Sequence, residues 1–245
     1  MLPKIIHYCW FGGNQKPDIV KRCISSWKRF CPDYQIIEWN EENFNIQESP
    51  NFVRDAYENK KWAFVSDYAR LKIIYENGGI YLDTDVEVVK PLDLIIAQCP
   101  HGYMGFEQDI QVNTGIGFAA EKGNNIIGEM MAEYQKLQFN PEILDKIACP
   151  IINTRVLTRH GLKTNGKMQQ VEELMILPIE YLCPESMYTG QINYTENTVS
   201  VHHYSASWMP AKERIRMNTI MKIKKILPNR TVEAIRRKLR SNRKA

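Results

Sequence analysis

Short apolar runs alternate with helix-spaced apolar positions along the N-terminal part of the chain. Residues 4–10 and 34–39 have the length and composition typical of strands. Between them, residues 17–30 begin with a proline that suits a first helical turn, and their apolar side chains recur every three or four positions. The pattern predicts a strand, a helix and a second strand.

Residues 66–79 predict a second helix with a marked end. Ser66 or Asp67 is expected to accept hydrogen bonds from the free N–H groups of the first turn. Gly78 and Gly79 supply a left-handed exit. A third strand follows directly after them.

Four further strands and one helix are predicted in the rest of the body. The strands are expected near residues 103–107, 115–120, 175–178 and 199–203, and the helix over residues 125–137. This alternation favours an α/β fold with a single, mainly parallel sheet flanked by helices. No internal repeat or linker rich in Gly, Pro or Ser divides residues 1–210, so we expect one domain there.

Two carboxylates follow the third predicted strand, Asp83 and Asp85 in the run IYLDTDV. Alternate residues of an extended chain point the same way, so both carboxylates can bind the same metal ion. Oxygen ligands of this kind suit Mn²⁺ or Mg²⁺, and open α/β sheets bind ligands beyond the carboxyl ends of their strands. Asp-x-Asp is common by chance, however, and a solvated turn is the competing interpretation.

Asp67 and Arg70 form a second charged pair, three residues apart on the predicted helix. This spacing places them on one face. An ordinary surface ion pair is the alternative interpretation, and such a pair contributes only about 0.3–0.5 kcal/mol.

The composition is that of a globular enzyme. Of 245 residues, 44% are hydrophobic and 24% charged, and no apolar run has the length of a membrane span. The N-terminus does not resemble a signal peptide, and the six cysteines show no Cys-x-x-Cys spacing. We therefore expect buried or incidental thiols in a reducing cytoplasm.

The charge is distributed unevenly. Residues 211–245 carry 13 Lys/Arg and 2 Asp/Glu, a balance of +11, whereas the preceding 210 residues carry 19 and 26, a balance of −7. Aliphatic positions in this basic tail recur at roughly helical spacing, which is typical of amphipathic helices on anionic membrane surfaces. Helices packed on the body are the alternative. The tail lacks interleaved aromatic residues, so no nucleic-acid partner is expected.

Three segments together resemble a known family. Residues 63–91, AFVSDYARLKIIYENGGIYLDTDVEVVKP, resemble the signature of the DxD-containing sugar transferases, glycosyltransferase family thirty-two. The start, PKIIHYCWFGG, is similar to the bacterial branch that builds capsular polysaccharides, and VHHYSASW resembles the closing His…Ser-Trp segment. The resemblance implies a GT-A nucleotide-diphospho-sugar transferase fold, and a retaining transfer of a hexose from a nucleotide-diphospho-sugar, with a UDP-sugar favoured.

The resemblance also implies a metal site. Asp83 and Asp85 would hold Mn²⁺ (or Mg²⁺) at the donor's diphosphate, with Asp85 the more direct ligand. His202 would help to complete the metal shell. The neighbouring His203 is expected to point the other way, although the sequence leaves the reverse choice open.

Donor contacts are implied at both ends of the body. Asp67 and Arg70 would grip the donor sugar together with Asp83, and Ser207 and Trp208 would cap the diphosphate. Core packing is the alternative for Trp208.

The end of the first strand and one later turn hold further candidates for the donor site. His7, Tyr8 and Trp10 lie where the nucleoside is expected, and an aromatic ring there could stack on the base or simply pack under the sheet. Asn113 is a candidate for a donor or acceptor contact, with an ordinary turn as its alternative. Where many relatives carry Gly-Pro, this chain has Cys149-Pro150, a departure that concerns the acceptor side.

The expected partners are a nucleotide-sugar donor and a glycan or lipid-linked oligosaccharide acceptor. The basic tail adds an anionic membrane surface, so we expect a peripheral protein at the inner face of the cytoplasmic membrane. Two other classes stay open: a metal-dependent phosphohydrolase, which would release free phosphate, and a sugar-nucleotide-binding protein without turnover.

Overall fold

The computed structural model describes residues 2–108, 110–140, 147–186 and 190–205. The strands are β1 Ile5–Cys9, β2 Gln35–Trp39, β3 Gly79–Tyr81, β4 Val86–Val88, β5 Gly102–Gln108, β6 Gln111–Val112, β7 Phe118–Ala120, β8 Gln169–Val171, β9 Leu174–Leu177 and β10 Ser200–His202. The helices are α1 Asp18–Phe30, α2 Asn51–Glu58, α3 Trp62–Asn77, α4 Asp93–Ile96, α5 Asn125–Tyr134, α6 Cys149–Arg159 and α7 Ile179–Leu182. Two 3₁₀ turns lie at Ile46–Glu48 and Thr114–Ile116.

The main sheet has the order β2-β1-β3-β7-β5-β9-β8, with β6 paired to β5. Strands β1, β2 and β3 are parallel, and β5 and β9 run in the same direction. Strands β7, β8 and β6 run against them. The predicted α/β class is confirmed, with a mixed, mainly parallel sheet. A second sheet that the sequence did not predict pairs β4 with β10.

The main sheet separates two apolar cores. Consecutive residues of β3 face opposite sides, with Ile80 in one core and Tyr81 in the other, as the pleat requires. Helices α2, α3, α5 and α6 cover the Tyr81 side, and α1, α4 and α7 cover the Ile80 side. The prediction of helices on both faces is therefore confirmed.

Helix α3 begins four residues earlier than the capping pattern predicted. It starts at Trp62, so Ser66 and Asp67 lie inside the helix and do not cap it. The first turn forms because Phe64 and Val65 pack against the core, which outweighs the local preference for a cap. The predicted end is confirmed, because Gly78 terminates the helix with φ 69°.

The predicted strand over residues 115–120 is divided in two. Thr114–Ile116 forms a 3₁₀ turn, and only Phe118–Ala120 pairs in the sheet. Gly117 separates them with φ 110°, a conformation that L side chains rarely adopt. The sequence patterns also did not predict helices α2 and α6.

All six cysteines are free and buried, as predicted. Among the described helices, none combines the length and apolar character that crossing a membrane requires. The basic tail at residues 211–245, and with it the predicted domain boundary after residue 210, lies outside the described residues.

Candidate active site at the carboxyl edge of the sheet

Parallel pairing gathers several strand ends at one edge of the main sheet. The carboxyl ends of β1, β2 and β3 meet there, and those of β5 and β9 point the same way. Open α/β sheets bind their ligands at this edge. The predicted aspartates follow β3 and therefore lie there.

Asp83 and Asp85 lie in a turn between β3 and β4, not on an extended segment as the sequence argument assumed. Val86 N donates to Asp83 O at 3.0 Å and closes the turn. The turn forms because β4 leaves the main sheet to pair with β10. As a result, the two carboxylates have different protein partners.

Asp83 belongs to a buried cluster around Arg70, which is only 3% exposed. Arg70 Nη2 lies 2.9 Å from Asp67 Oδ1 and 3.2 Å from Asp83 Oδ1. Tyr81 Oη donates to Asp83 Oδ1 at 2.9 Å, and the guanidinium lies over the Tyr81 ring, 5.3 Å from its centroid. The pair of Asp67 and Arg70 is therefore not a surface ion pair.

The electrostatics of this cluster are unusual for aspartates. Burial raises the pKa of Asp67 to about 6, although the Arg70 charge acts in the opposite direction. Burial also raises the pKa of Asp83, against Arg70, and repulsion from Asp85 adds to the rise. Two carboxylates whose charge is costly thus depend on one buried cation, a pattern that occurs often at functional sites.

Asp85 belongs to a second cluster that the pairing of β4 with β10 creates. His202 is paired with Val86 in register, so the residues beyond it reach Asp85. Asp85 Oδ2 accepts from Ser205 N and Ser205 Oγ, both at 2.9 Å, and Asp85 Oδ1 lies 3.3 Å from His202 Nε2. Burial alone would raise the pKa of Asp85, but His202 and Ser205 outweigh it and hold that pKa well below its usual range.

The two neighbouring histidines have different surroundings. His203 Nε2 lies 2.7 Å from Glu87 Oε2, and its Nδ1 lies 3.1 Å from Glu185 Oε2. His202 instead faces Asp85. Burial lowers the pKa of His202, but the Asp85 carboxylate outweighs it and raises that pKa well above its usual value. The structure thus directs the side chain of His202, and not that of His203, at the DXD turn, although His203 N donates to Asp85 O at 3.0 Å.

The side chains of this region offer ligand atoms that suit a divalent cation. Carboxylate oxygens and an imidazole nitrogen suit Mn²⁺, and carboxylates suit Mg²⁺. Within the described residues, no three His, Cys, Asp or Glu side chains converge into a group that could hold an ion. An ion bound through one or two carboxylates takes its other ligands from water and substrate phosphates. Binding through Asp83, Asp85 and His202 stays a prediction.

The polar atoms of His7 and Tyr8 form hydrogen bonds within the protein, whereas the predicted donor contact requires them to be free. His7 is 1% exposed, its Nδ1 accepts from Trp39 Nε1 at 3.0 Å, and its Nε2 donates to Gly78 O at 3.1 Å. Tyr8 is buried and donates to Glu38. The geometry of these two residues does not favour the predicted donor contact, because their polar atoms are already engaged.

Trp10 is the accessible aromatic residue of the predicted trio. It is partly exposed, and its Nε1 donates to Asn14 O at 2.7 Å. Lys16 Nζ lies 5.8 Å from the ring centroid. Trp10 therefore remains the candidate for stacking on a base.

Asn113 caps the 3₁₀ turn that borders the Arg70 cluster. Its Oδ1 accepts from Gly115 N at 2.7 Å, so the turn interpretation of Asn113 describes its side chain. Gly115 lies against the cluster, because a Cβ there would be 2.8 Å from Asp83 Oδ2 and 2.9 Å from Arg70 Nη1. A residue of any other type would meet the charged atoms.

The start of α6 closes the other side of this cluster. Cys149 Sγ lies 3.8 Å from Arg70 Nη1, 3.1 Å from Thr114 Oγ1 and 3.0 Å from Asn153 Nδ2. Burial raises the pKa of the Cys149 thiol to about 12, so the thiol is neutral. The Cys149-Pro150 pair, assigned from sequence to the acceptor side, therefore lies next to a predicted donor contact.

Sequence reasoning missed several residues that complete the site. Ser205 bonds Asp85, whereas the predicted Ser207 and Trp208 lie outside the described residues. A hydroxyl two residues before Ser207 carried no separate signal. Tyr81 and Gly115 read as an ordinary strand residue and an ordinary turn residue, because their contacts arise from chain segments far apart in sequence.

The fold is of the α/β class, with a mixed sheet like that of GT-A glycosyltransferases. Residues 17–100 match the family described as "Glycosyltransferase sugar-binding region containing DXD motif". The match covers about a third of the chain, and over this segment the resemblance noted from the sequence to the DXD-motif glycosyltransferases is confirmed.

Two fission yeast proteins are among the similar sequences. Inositol phosphoceramide mannosyltransferase 1 of Schizosaccharomyces pombe is 30% identical over 105 residues, 40% of this chain and 32% of that protein. Inositol phosphoceramide mannosyltransferase 3 is 29% identical over 147 residues, 57% of this chain and 39% of that protein. The matches thus span well under half the length of these relatives.

A solved structure shares the fold. The PaToxG glycosyltransferase aligns with a TM-score of 0.50 and 22% identity, over 64% of this chain and 69% of that one. At this identity the similarity concerns the fold alone.

Proposed function

We propose that this chain is a metal-dependent, retaining hexosyltransferase that uses a nucleoside-diphosphate sugar. The observation that carries the proposal is the DXD turn, in which each of the two aspartates is held by its own set of protein side chains. Arg70 and Asp67 hold Asp83, and His202 and Ser205 hold Asp85, all at the carboxyl edge of the sheet.

The residues of the turn have distinct parts in the proposed reaction. Asp83 and Asp85 would hold the cation, and a bound divalent ion supplies positive charge against the leaving diphosphate. Arg70 is a rigid, fully charged donor of hydrogen bonds, suited to sugar hydroxyls or a phosphate oxygen. Asp67 and Tyr81 keep the Arg70 and Asp83 side chains in place.

We propose a same-face displacement for the chemical step. Retaining glycosidases use a second carboxylate as nucleophile, but Asp67, Asp83 and Asp85 are all engaged by protein donors. The acceptor oxygen forms its bond to the anomeric carbon on the face from which the diphosphate departs. The anomeric carbon–phosphate oxygen bond breaks, and the hydroxyl proton passes to an oxygen of the leaving diphosphate.

The donor and the acceptor are proposed from the sequence and from the names of the relatives. A UDP-sugar remains our preferred donor, and the names of the yeast relatives make mannose a sugar to test beside it. Those names also specify a lipid acceptor. They support a lipid-linked acceptor among the glycan and lipid-linked oligosaccharide acceptors that we propose. We propose separately that the chain acts at the inner face of the cytoplasmic membrane, where the tail at residues 211–245 would bind anionic lipid.

Release of nucleoside diphosphate from a panel of UDP- and GDP-sugars tests the proposal. We expect slow hydrolysis of one donor that requires Mn²⁺ or Mg²⁺. Asp85→Asn should reduce it by about 10²-fold or more, the scale of losing one electrostatic stabiliser. Asp55→Asn, the same change at an exposed aspartate on α2, should have no effect.

Other results would contradict the transferase. Free phosphate as the product would indicate a phosphohydrolase. Tight donor binding without turnover, even with glycan and lipid acceptors added, would indicate a binding protein. Equal rates for Asp85→Asn and the wild type would remove the DXD turn from the reaction.

A further inference from the structure

A buried glutamate lies at the same edge of the sheet, outside every motif discussed above. Glu107 follows Phe106 near the carboxyl end of β5 and is 8% exposed. Because β5 runs in the same direction as β3, this end of β5 faces the region of the DXD turn. A buried carboxylate is costly unless a donor or a positive charge compensates it.

His202 has a buried polar atom that could pair with this carboxylate. Its Nδ1 is buried and, among the residues that the structure describes, has no hydrogen-bond partner of ordinary geometry. The Cys183 thiol also interacts with this imidazole, but a thiol is a much poorer acceptor than a carboxylate. Glu107 Oε1 lies 3.9 Å from this atom. On the opposite side of the ring, His202 Nε2 faces Asp85 Oδ1 at 3.3 Å. The imidazole thus lies between two carboxylates that come from different strands.

The orientation of the ring is restrained on a third side. The His202 and Tyr204 rings are in contact, with centroids 4.4 Å apart. Tyr204 has φ 48°, a left-handed conformation that is uncommon for a residue with a side chain. This conformation turns the chain between His202 and Ser205, which both reach Asp85. Uncommon backbone conformations persist where surrounding contacts enforce them.

We propose that Glu107 is a positioning residue that accepts a hydrogen bond from His202 Nδ1 and thereby keeps His202 Nε2 directed at Asp85. The present separation is too long for a hydrogen bond, and a rotation of the Glu107 side chain that shortens it by about 1 Å is sufficient. A buried donor left unpaired is costly, so the contact stabilises both groups. Metal-ligating histidines commonly donate their second N–H to a carboxylate in this way.

The hydrogen bond between Glu107 and His202 concerns the protein alone. Its consequence for cation binding rests on the proposed function. The experiment therefore has one measurement without metal and one with it.

The first measurement is the imidazole N–H proton spectrum of the metal-free full chain, labelled with ¹⁵N-histidine. We expect a downfield Nδ1–H signal that His202→Asn removes and so assigns. Glu107→Leu, which has no acceptor, should shift it upfield further than Glu107→Gln does. Glu107→Gln, which keeps one acceptor oxygen, should shift it upfield. Glu87→Leu, which removes a carboxylate from the neighbouring His203, should leave it unchanged.

Two results would overturn the hydrogen bond: a wild-type spectrum without this signal, or an unchanged signal in Glu107→Leu. If Glu107→Leu does not fold, Glu107→Gln decides the question through the predicted upfield shift. An unchanged signal there would overturn the inference.

The second measurement is the dissociation constant for Mn²⁺ in the presence of nucleoside diphosphate. Loss of the supporting carboxylate in Glu107→Leu should weaken binding about 10–100-fold. Glu107→Gln should lie between Glu107→Leu and the wild type, and Glu87→Leu should match the wild type. Unchanged Mn²⁺ affinity in Glu107→Leu would refute the positioning role. A wild type that does not bind Mn²⁺ would instead refute the proposed function, while the proton spectrum still decides the hydrogen bond.

Discussion

Arg70 and Asp83 join helix α3 to the DXD turn through an ion pair of 3.2 Å, in which the Arg70 side chain is buried. Asp67, one helical turn before Arg70, adds a second carboxylate at 2.9 Å. One cation therefore compensates two acids that lie on different elements. The stability of the fold and the state of the proposed donor site both depend on this arrangement.

Substitution of Arg70 by methionine tests this dependence. Arg70→Met leaves two partly buried carboxylates without their cation. We expect the free energy of unfolding at pH 7 to fall by about 2–3 kcal/mol, less than for a fully buried pair. The loss should shrink as the pH falls, because Asp67 and Asp83, whose pKa values are already raised, become protonated. Urea unfolding at pH 7 and pH 5 measures both effects.

The double variant Arg70→Met with Asp67→Asn is the control for this prediction. Removing one buried charge should restore part of the stability at pH 7 but none of the turnover. If the single variant is as stable as the wild type, the cluster is not the compensated charge pair that we infer.

A methyl group at Gly115 should disturb the same cluster without removing any charge. The Cβ of Gly115→Ala would lie 2.8 Å from Asp83 Oδ2 and 2.9 Å from Arg70 Nη1, closer than real contacts allow. We expect a stability loss of about 1–3 kcal/mol, typical of overpacking, and a much larger loss of turnover.

Gly105→Ala is the matched control for Gly115→Ala. Its Cβ would lie 2.8 Å from the Leu182 side chain and 3.1 Å from that of Ile116, so it crowds apolar atoms instead of charged ones. The two variants should lose similar stability, but Gly105→Ala should retain more turnover per folded molecule. Equal turnover would show that the position of Asp83 is not critical.

His7 should make the stability of the protein depend on pH. Burial lowers its pKa from 6.5 to about 4 in the folded state, so between these values the unfolded chain binds more protons. The free energy of unfolding should therefore decrease as the pH falls from 6.5 to 4, by about 3 kcal/mol from this residue. Unfolding of the wild type and His7→Gln across this range isolates the contribution as the difference in slope. Parallel curves for the two proteins would contradict a buried neutral His7.

Much of the fold could be predicted because its signals are local. Periodic apolar positions indicated β1, α1 and β2, and the glycines after Asn77 marked the end of α3. Helix α6 was missed because its N-terminus is held by contacts from Cys149 to Thr114, which lies 35 positions earlier. Tertiary contacts of this kind leave no periodic trace in the sequence.

The candidate site, like the fold, could be predicted only where its signals are local. The spacing of Asp83 and Asp85, and of Asp67 and Arg70, identified the charged residues but not their burial or their partners. The turn conformation of the two aspartates depends on the pairing of β4 with β10, which brings together segments more than a hundred positions apart. Ser205 and Glu107 reach the site only through this topology, so no local pattern could indicate them.

The basic tail should attach the full chain to anionic membranes. Each Lys or Arg near such a surface contributes about 1 kcal/mol, so replacing Arg236, Arg237, Lys238 and Arg240 by glutamine should weaken binding by about 4 kcal/mol, or roughly 10³-fold. Cosedimentation with vesicles containing anionic lipid measures the change, and neutral vesicles should bind neither protein.

The matched control replaces four exposed lysines of the body, Lys60, Lys122, Lys163 and Lys167, and thus removes the same net charge. Equal losses in the two variants would mean that overall charge, and not the tail, attracts the protein to the membrane. No loss in the tail variant would favour helices packed on the body.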